Sequence, residues 1–162
     1  MSYMIKPYEE TLKLLKVNNI TYKEIHHEPA YTSEQAAKVR GVSTSRVTKS
    51  LLLKYGSHFI LAVLPGDHKL SYKKVKNLLK IKKLRFATPE EVENKMGCEI
   101  GACYPLGNLI GLPVYVDNAS SQNDTLFFNP GLPNLTIEIK WQDFCSMAKP
   151  KFGDISEKSN KF

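Results

Sequence analysis

A chain of 162 residues, 42% hydrophobic and 24% charged, suits one domain with a real core and is too ordinary in composition for a disordered or collagen-like protein. The net charge of +7 is concentrated: residues 46–85 hold eleven Lys or Arg against the single acid Asp67, leaving twelve basic and fifteen acidic groups elsewhere. Such a basic middle predicts a polyanionic partner, with a face kept charged for solubility as the alternative.

The opening "MSYMIKPYEE" has no apolar h-region, so no secretory signal is expected. Residues 7–18 are expected to form a helix. Pro7 fits its first turn, Glu9 and Glu10 its positive end, and Tyr8, Leu12 and Leu15 share a face. "ITYKEI" reads as a short strand. "TSEQAAKVRG" reads as a short helix, with Thr32 and Gln35 at capping-box spacing and Gly41 as its stop. "VTKSLLLK" and "HFILAVL" are strands joined by the hairpin signal "YGS". The longest apolar run, Phe59 to Leu64, is far too short to span a bilayer. "PGDHK" (65–69) is a turn by composition.

From Ser71, "LSYKKVKNLLK" is an amphipathic helix. Tyr72, Val75, Leu78 and Leu79 lie on one arc and Lys73, Lys74, Lys76 and Lys80 on the other. "KLRFA" is a strand, and "TPEEVENKMG" a helix capped by Thr88 and Glu91 and closed by Gly97. Residues 98–113, with three glycines and two prolines, are irregular. "VYVD", "TLFFN" and "LTIEIKW" are strands, the last burying Leu135, Ile137 and Ile139 and wetting Thr136, Glu138 and Lys140. "WQDFCSMA" is a closing helix, and the polar tail from Lys149 is expected to fray. The interleaving predicts a single mixed α/β domain with a partly antiparallel central sheet flanked by helices.

Four features invite chemistry. Lys49 shares a strand face with Val47, Leu51 and Leu53: either its stem snorkels, or it is the cation of a pocket floored by that face. In "GACYPLG", Gly101 and Gly107 permit close backbone approach and Pro105 stiffens the stretch. Its amides suit an oxyanion, and an ordinary rigid connection is the plainer reading. His26 and His27 offer a general base or a surface pair. Cys103 offers a nucleophile or a small core residue. The three cysteines, odd in number and without zinc-like spacing, predict reduced thiols in a cytoplasmic protein. The usual signatures of serine hydrolases, P-loops and zincins are missing from the sequence.

Taken in order, "LKVNNITYKEIHHEPAYTSEQAAK", "VTKSLLLK", "LAVLPGDHKLSYKKVKNLL", "LRFATPEEVENKMGCEIGACYPLGNL" and "PVYVD" resemble the YbaK family. This is the prolyl-tRNA synthetase-associated editing domain, and the resemblance spans roughly residues 8–145. Its most specific marks are the lysine of V-x-K-S/T-L, here Lys49, and a G-x-x-x-P loop, here Gly101 to Pro105. The resemblance implies a YbaK-like domain over residues 1–148 followed by a tail over 149–162. It also implies an aminoacyl-tRNA deacylase that needs no metal or other cofactor, acting on the 3′ acceptor end of mischarged tRNA, foremost tRNA-Pro. Prolyl-tRNA synthetase or another synthetase is an implied partner; a membrane is not.

In that family Lys49 would anchor the phosphate of the terminal nucleotide. The backbone at Gly101 and Ala102 would hold the ester carbonyl as it becomes an oxyanion. Water would attack, with or without help from the ribose hydroxyl or the substrate's own side chain. Tyr22, His26, Ser50, Leu51, Cys103, Pro105 and Asp117 would surround the substrate, and Lys73, Lys74, Lys76 and Lys80 would touch the acceptor stem. Two positions depart from alanine-editing members. "FNPGLPNLT" carries Pro133 and Asn134 where those members have a histidine, and Ser50 stands where many have asparagine. Ser50 is closer to the threonine of Cys-tRNA deacylases, and Ser- or Thr-tRNA editing stays open. The rival readings are a non-catalytic tRNA-binding or synthetase-associated module, and a small-molecule binder with an incidental basic surface.

Overall fold

Local capping chemistry sets the starts of three of the five described α-helices. The computed structural model describes residues 5–159, the side chains of 121 and 122 excepted. The start of the N-terminal segment and the last three residues of the tail, on which two expectations partly rest, lie outside the described residues.

Helix α1 (Pro7–Val17) opens on proline, with Glu9 and Glu10 in its first turn. At α2 (Ser33–Arg40), Thr32 Oγ1 accepts the Gln35 N–H at 3.1 Å while the Gln35 side chain accepts the Thr32 N–H, and Gly41 ends the helix at φ +69°. Ser71 caps α3 (Tyr72–Leu79) by accepting the Lys74 N–H at 3.2 Å. Thr88 and Glu91 form a second reciprocal box at the start of α4 (Pro89–Met96). Helix α5 (Trp141–Ala148) follows the last strand of the smaller of the two main sheets.

The central sheet has five strands in the order β5 (Arg85–Phe86), β2 (Thr48–Tyr55), β3 (His58–Pro65), β6 (Val114–Asp117) and β9 (Lys151–Gly153). The β2–β3 hairpin pairs Tyr55 with His58, so Gly56 and Ser57 alone make the turn. β5 is antiparallel to β2, whereas β3–β6 and β6–β9 are parallel. A second, antiparallel sheet orders β1 (Lys23–His26), β8 (Leu135–Lys140) and β7 (Thr125–Phe128). Two short strands, β4 (His68–Leu70) and β10 (Ser156–Lys158), pair with each other.

The central sheet is covered on both faces. Leu52, Leu61, Val63 and Val116 join Leu15, Met96, Phe144 and the second sheet's Leu126, Phe128 and Ile137 in the larger cluster. Leu53, Ile60, Ala62 and Leu64 turn the other way, onto Val75 and Ile155. β2 is therefore not the one-faced strand its period suggested: Leu51, Leu52 and Leu53 are consecutive because both sides bury apolar surface.

Other expectations change with long-range partners. Thr136 is fully buried rather than wet, because its hydroxyl is held by Arg40 and His27. Only Val75 of the apolar arc on α3 is fully buried; Tyr72 and Leu78 are exposed at its margins, and Tyr72 packs edge-on against Phe86. The strands at "KLRFA" and "ITYKEI" shorten to Arg85–Phe86 and Lys23–His26. "PGDHK" is partly strand, because His68 and Lys69 pair with Lys158 and Glu157. The tail does not fray through Ser159: β9 joins the central sheet, β10 pairs with β4, and Ile155 is 1% exposed.

Candidate functional site

β5 reaches β2 only at Leu53 and Lys54, and the Ala87 N–H then bonds the Leu52 carbonyl at 2.9 Å. Beyond that point no described strand lies along the outer edge of residues 48–51. A cleft of about 550 Å³ opens there, within the range of small-ligand pockets. Thr48 to Leu52 make its floor. The approach to α2 (Ala30 to Glu34), the β3–β4 turn, Phe86 and Ala87, the loop residues Ile100, Gly101 and Cys103, and Asn129 make its walls, which Ser159 completes.

The loop wall is held from within. Ser50 donates its hydroxyl to the Tyr104 carbonyl at 2.9 Å, tying the loop to the floor strand. Tyr104 is fully buried; its hydroxyl donates to the Met96 carbonyl at 2.8 Å, and burial pushes its phenol above the ordinary value. Gly101 has φ +93°, and a Cβ there would lie 2.7 Å from the Tyr31 carbonyl oxygen. The loop and the approach to α2 thus meet backbone to backbone, which only glycine allows. The Ala102 N–H donates to the Glu99 carbonyl at 3.1 Å in a turn. Cys98 and Cys103 are free thiols with sulfurs 4.0 Å apart. The Cys98 thiol donates to Cys103, which lowers the Cys103 pKa below the ordinary thiol value, and Cys98 is raised in turn.

Of the residues singled out from sequence, the cleft brings together Lys49, Ser50, Leu51, Gly101 and Cys103. Lys49 is half-buried on the floor. Ala102 and Pro105 are buried and do not line the cleft. Tyr22 lies elsewhere, in a shallow groove with Leu12 and Lys16. His26 is exposed, 3.5 Å from Glu24. Asp117 is buried: its carboxylate accepts the N–H groups of Ile155 (2.9 Å) and Ala119 (3.0 Å), clasping the C-terminal segment to β6. On α3, Lys73 is exposed and Lys76 is half-buried, and Lys80, which caps the helix C-terminus, is exposed. Lys74 instead binds Asp154 at 2.9 Å and the Ser156 carbonyl at 2.8 Å.

Among the lining residues that the sequence did not single out are Tyr31, Phe86, Arg40 and Asn129. Tyr31 and Phe86 are exposed aromatics at its mouth, a signal invisible to period-based reading. Arg40 stands in the last turn of α2, where a basic residue is ordinarily explained by the helix dipole. Its Nε–H donates to Thr136 Oγ1 at 2.9 Å and its Nη2 to Asn129 Oδ1 at 3.3 Å. Burial pulls its pKa down to about 10. Among the described residues no group of three His, Cys, Asp or Glu is placed to hold a metal ion, and no helix is long and apolar enough to cross a membrane.

A family model described as the aminoacyl-tRNA editing domain matches residues 27–146. Proline–tRNA ligase of Geobacillus sp. (strain WCH70) is 31% identical over 119 residues, which are 74% of this chain and 20% of the ligase. The chain thus spans about a fifth of the length of that relative. The uncharacterized protein YwhH of Bacillus subtilis (strain 168) is 38% identical over 67% of this chain and 69% of its own length. A crystal structure of a candidate trans-editing enzyme for prolyl-tRNA synthetase superposes with a TM-score of 0.79 over 96% of this chain and 99% of its own, at 23% identity, a likeness of fold.

Proposed function

This chain belongs to the aminoacyl-tRNA editing domain family, and on that premise we propose that it is a deacylase acting on mischarged tRNA, foremost tRNA-Pro carrying Ala, Cys, Ser or Thr. The observation that carries the reading is convergence. Lys49 and Ser50 on one strand, and Gly101 and Cys103 some fifty residues later, wall one cleft of a size for an aminoacyl group.

The reaction needs the ester carbonyl held, its developing charge met, and a ribose oxygen released. Lys49 anchors the phosphate of the terminal nucleotide as a point charge on the cleft floor. Water adds to the carbonyl carbon, the carbonyl oxygen becomes an oxyanion, and collapse expels the ribose oxygen, which takes up the proton given by the water. Because the Ala102 N–H is engaged with Glu99, the oxyanion falls to the Cys103 amide, which has no acceptor among the described residues. Ser50 keeps that loop at its distance from the floor. Tyr31 and Phe86 at the mouth suit stacking of a base, and Lys73, Lys76 and Lys80 suit salt-dependent contact with the acceptor stem.

The test is hydrolysis of tRNA charged with Ala, Cys, Ser or Thr by wild type and by Lys49→Ala, with folding of both verified. Turnover of one ester that falls at least about 100-fold in the variant supports the reading. tRNA binding without turnover of any ester gives the non-catalytic binding module the lead.

A further inference from the structure

Arg40 is a half-buried cation that lines the cleft. A guanidinium offers five N–H donors and is charged at neutral pH even with its pKa pulled down to about 10. Nε and Nη2 use the oxygens of Thr136 and Asn129, both neutral. Nη1 is buried and has no acceptor among the described residues. No carboxylate lies within ion-pair distance of Arg40 among the described residues. A partly desolvated charge without a counter-group carries a cost that an oxygen-bearing ligand in the cleft would relieve.

The holding is built. The Glu28 carbonyl can only accept, so the Nδ1 of His27, 2.8 Å away, carries the proton of the neutral ring. The His27 Nε2 then accepts the Thr136 hydroxyl at 2.7 Å, and the Thr136 oxygen remains free to receive the Arg40 Nε–H. Asn129 fixes the other prong while its own amide donates to the carbonyls of Leu132 and Leu135. The guanidinium is thereby oriented by three elements, and Arg40 lines the cleft beside the small apolar side chains of Ala30, Ala36 and Val47.

We infer that Arg40 determines acyl specificity: it receives an oxygen on the side chain of the amino acid in the cleft and so favours hydroxyl- or carboxylate-bearing acyl groups over alanine. The inference rests on the deacylase reading and deepens it. The apolar surround leaves room for a side chain of few atoms, and the charged donor rewards one that ends in oxygen. An alanyl group brings no such oxygen.

The experiment uses one tRNA body charged in turn with alanine, serine, threonine and aspartate, and compares wild type with Arg40→Met, Arg40→Lys and Thr136→Val. The expected result is a preference for an oxygen-bearing acyl group, measured as a ratio of kcat/KM to that of alanine. That ratio should fall about 10- to 100-fold in Arg40→Met. Arg40→Lys should recover part of it, and Thr136→Val, which removes the acceptor to Nε together with the donor to His27 but keeps the guanidinium, should lower it less. An equal loss on all four esters in Arg40→Met places the acceptor on the RNA, and a wild-type preference for alanine removes the need for one; either overturns the inference. Affinities for stable 3′-amide analogues of seryl- and alanyl-adenosine measure the same preference without turnover. If no ester is hydrolysed, the deacylase reading fails, while equal affinity for the two analogues overturns the role of Arg40 separately.

Discussion

Replacing Gly101 with alanine isolates the contact on which the cleft wall depends. At φ +93° an L-residue is strained by about 1–2 kcal/mol. The new methyl would also stand 2.7 Å from the Tyr31 carbonyl oxygen and 3.2 Å from its Cα, backbone atoms that cannot swing aside like the end of a side chain. Forced repacking of this kind costs a further 1–3 kcal/mol or so, for a total near 3 kcal/mol. In a chain of this length that lowers Tm by about 6–12 °C. Gly111 supplies the control: it has φ +67° with no atom within 4 Å of the added Cβ, so Gly111→Ala carries only the conformational part, about 1 kcal/mol or 2–4 °C. Calorimetry of both variants beside wild type measures the difference. Equal losses for the two would refute the claim that the loop and the approach to α2 are in obligatory backbone contact.

Two further outcomes follow from charge and from sulfur chemistry. Arg85, the Thr88 amide and Lys54 hold the Glu91 carboxyl well below its ordinary value of 4.5. A depressed folded-state pKa contributes stability that is complete above the unfolded value and is lost as pH falls through the folded one. The stability gap between wild type and Glu91→Gln, from urea titrations, should therefore be level near neutrality and narrow steadily below about pH 4.5; a gap that widens in acid would contradict the assignment. Among the cysteines, Cys103 lines the cleft with a lowered thiol pKa, while Cys98 is 7% exposed with a raised one and Cys145 is raised by burial. Iodoacetamide at pH 7.5 should label Cys103 first, as read by peptide mass mapping, and prior labelling of Cys98 would count against the donor direction drawn between them.

What the sequence made legible was local. Thr32 with Gln35, Thr88 with Glu91, and Ser71 each set a helix start within four residues, and "YGS" set a hairpin whose partners are adjacent in the chain. What stayed hidden needed a distant partner. β4, β9 and β10 are three residues each and exist because Asp117 and the His68–Lys158 pairing draw the C-terminal segment in. The period-two face on which Lys49 was placed assumed one wet side, and the sheet has none there. The strand motif and the loop motif converged on one cleft because each carries its own backbone signal. Tyr22, His26 and Asp117 fell elsewhere, since neither spacing nor residue type says which way a strand end or a buried acid turns. Arg40 was hidden by a sufficient ordinary explanation, and only its missing carboxylate sets it apart.

The cleft draws its walls from Ala30 through Ser159, so no fragment lacking either end of that span contains all of them. β6 and β9 enter the central sheet by parallel crossovers, pairings that close long loops and form slowly. A compound seated there is bound to the native state as a whole, and its occupancy shifts the global unfolding equilibrium by mass action instead of quieting one segment. Melting temperature becomes a direct gauge of saturation.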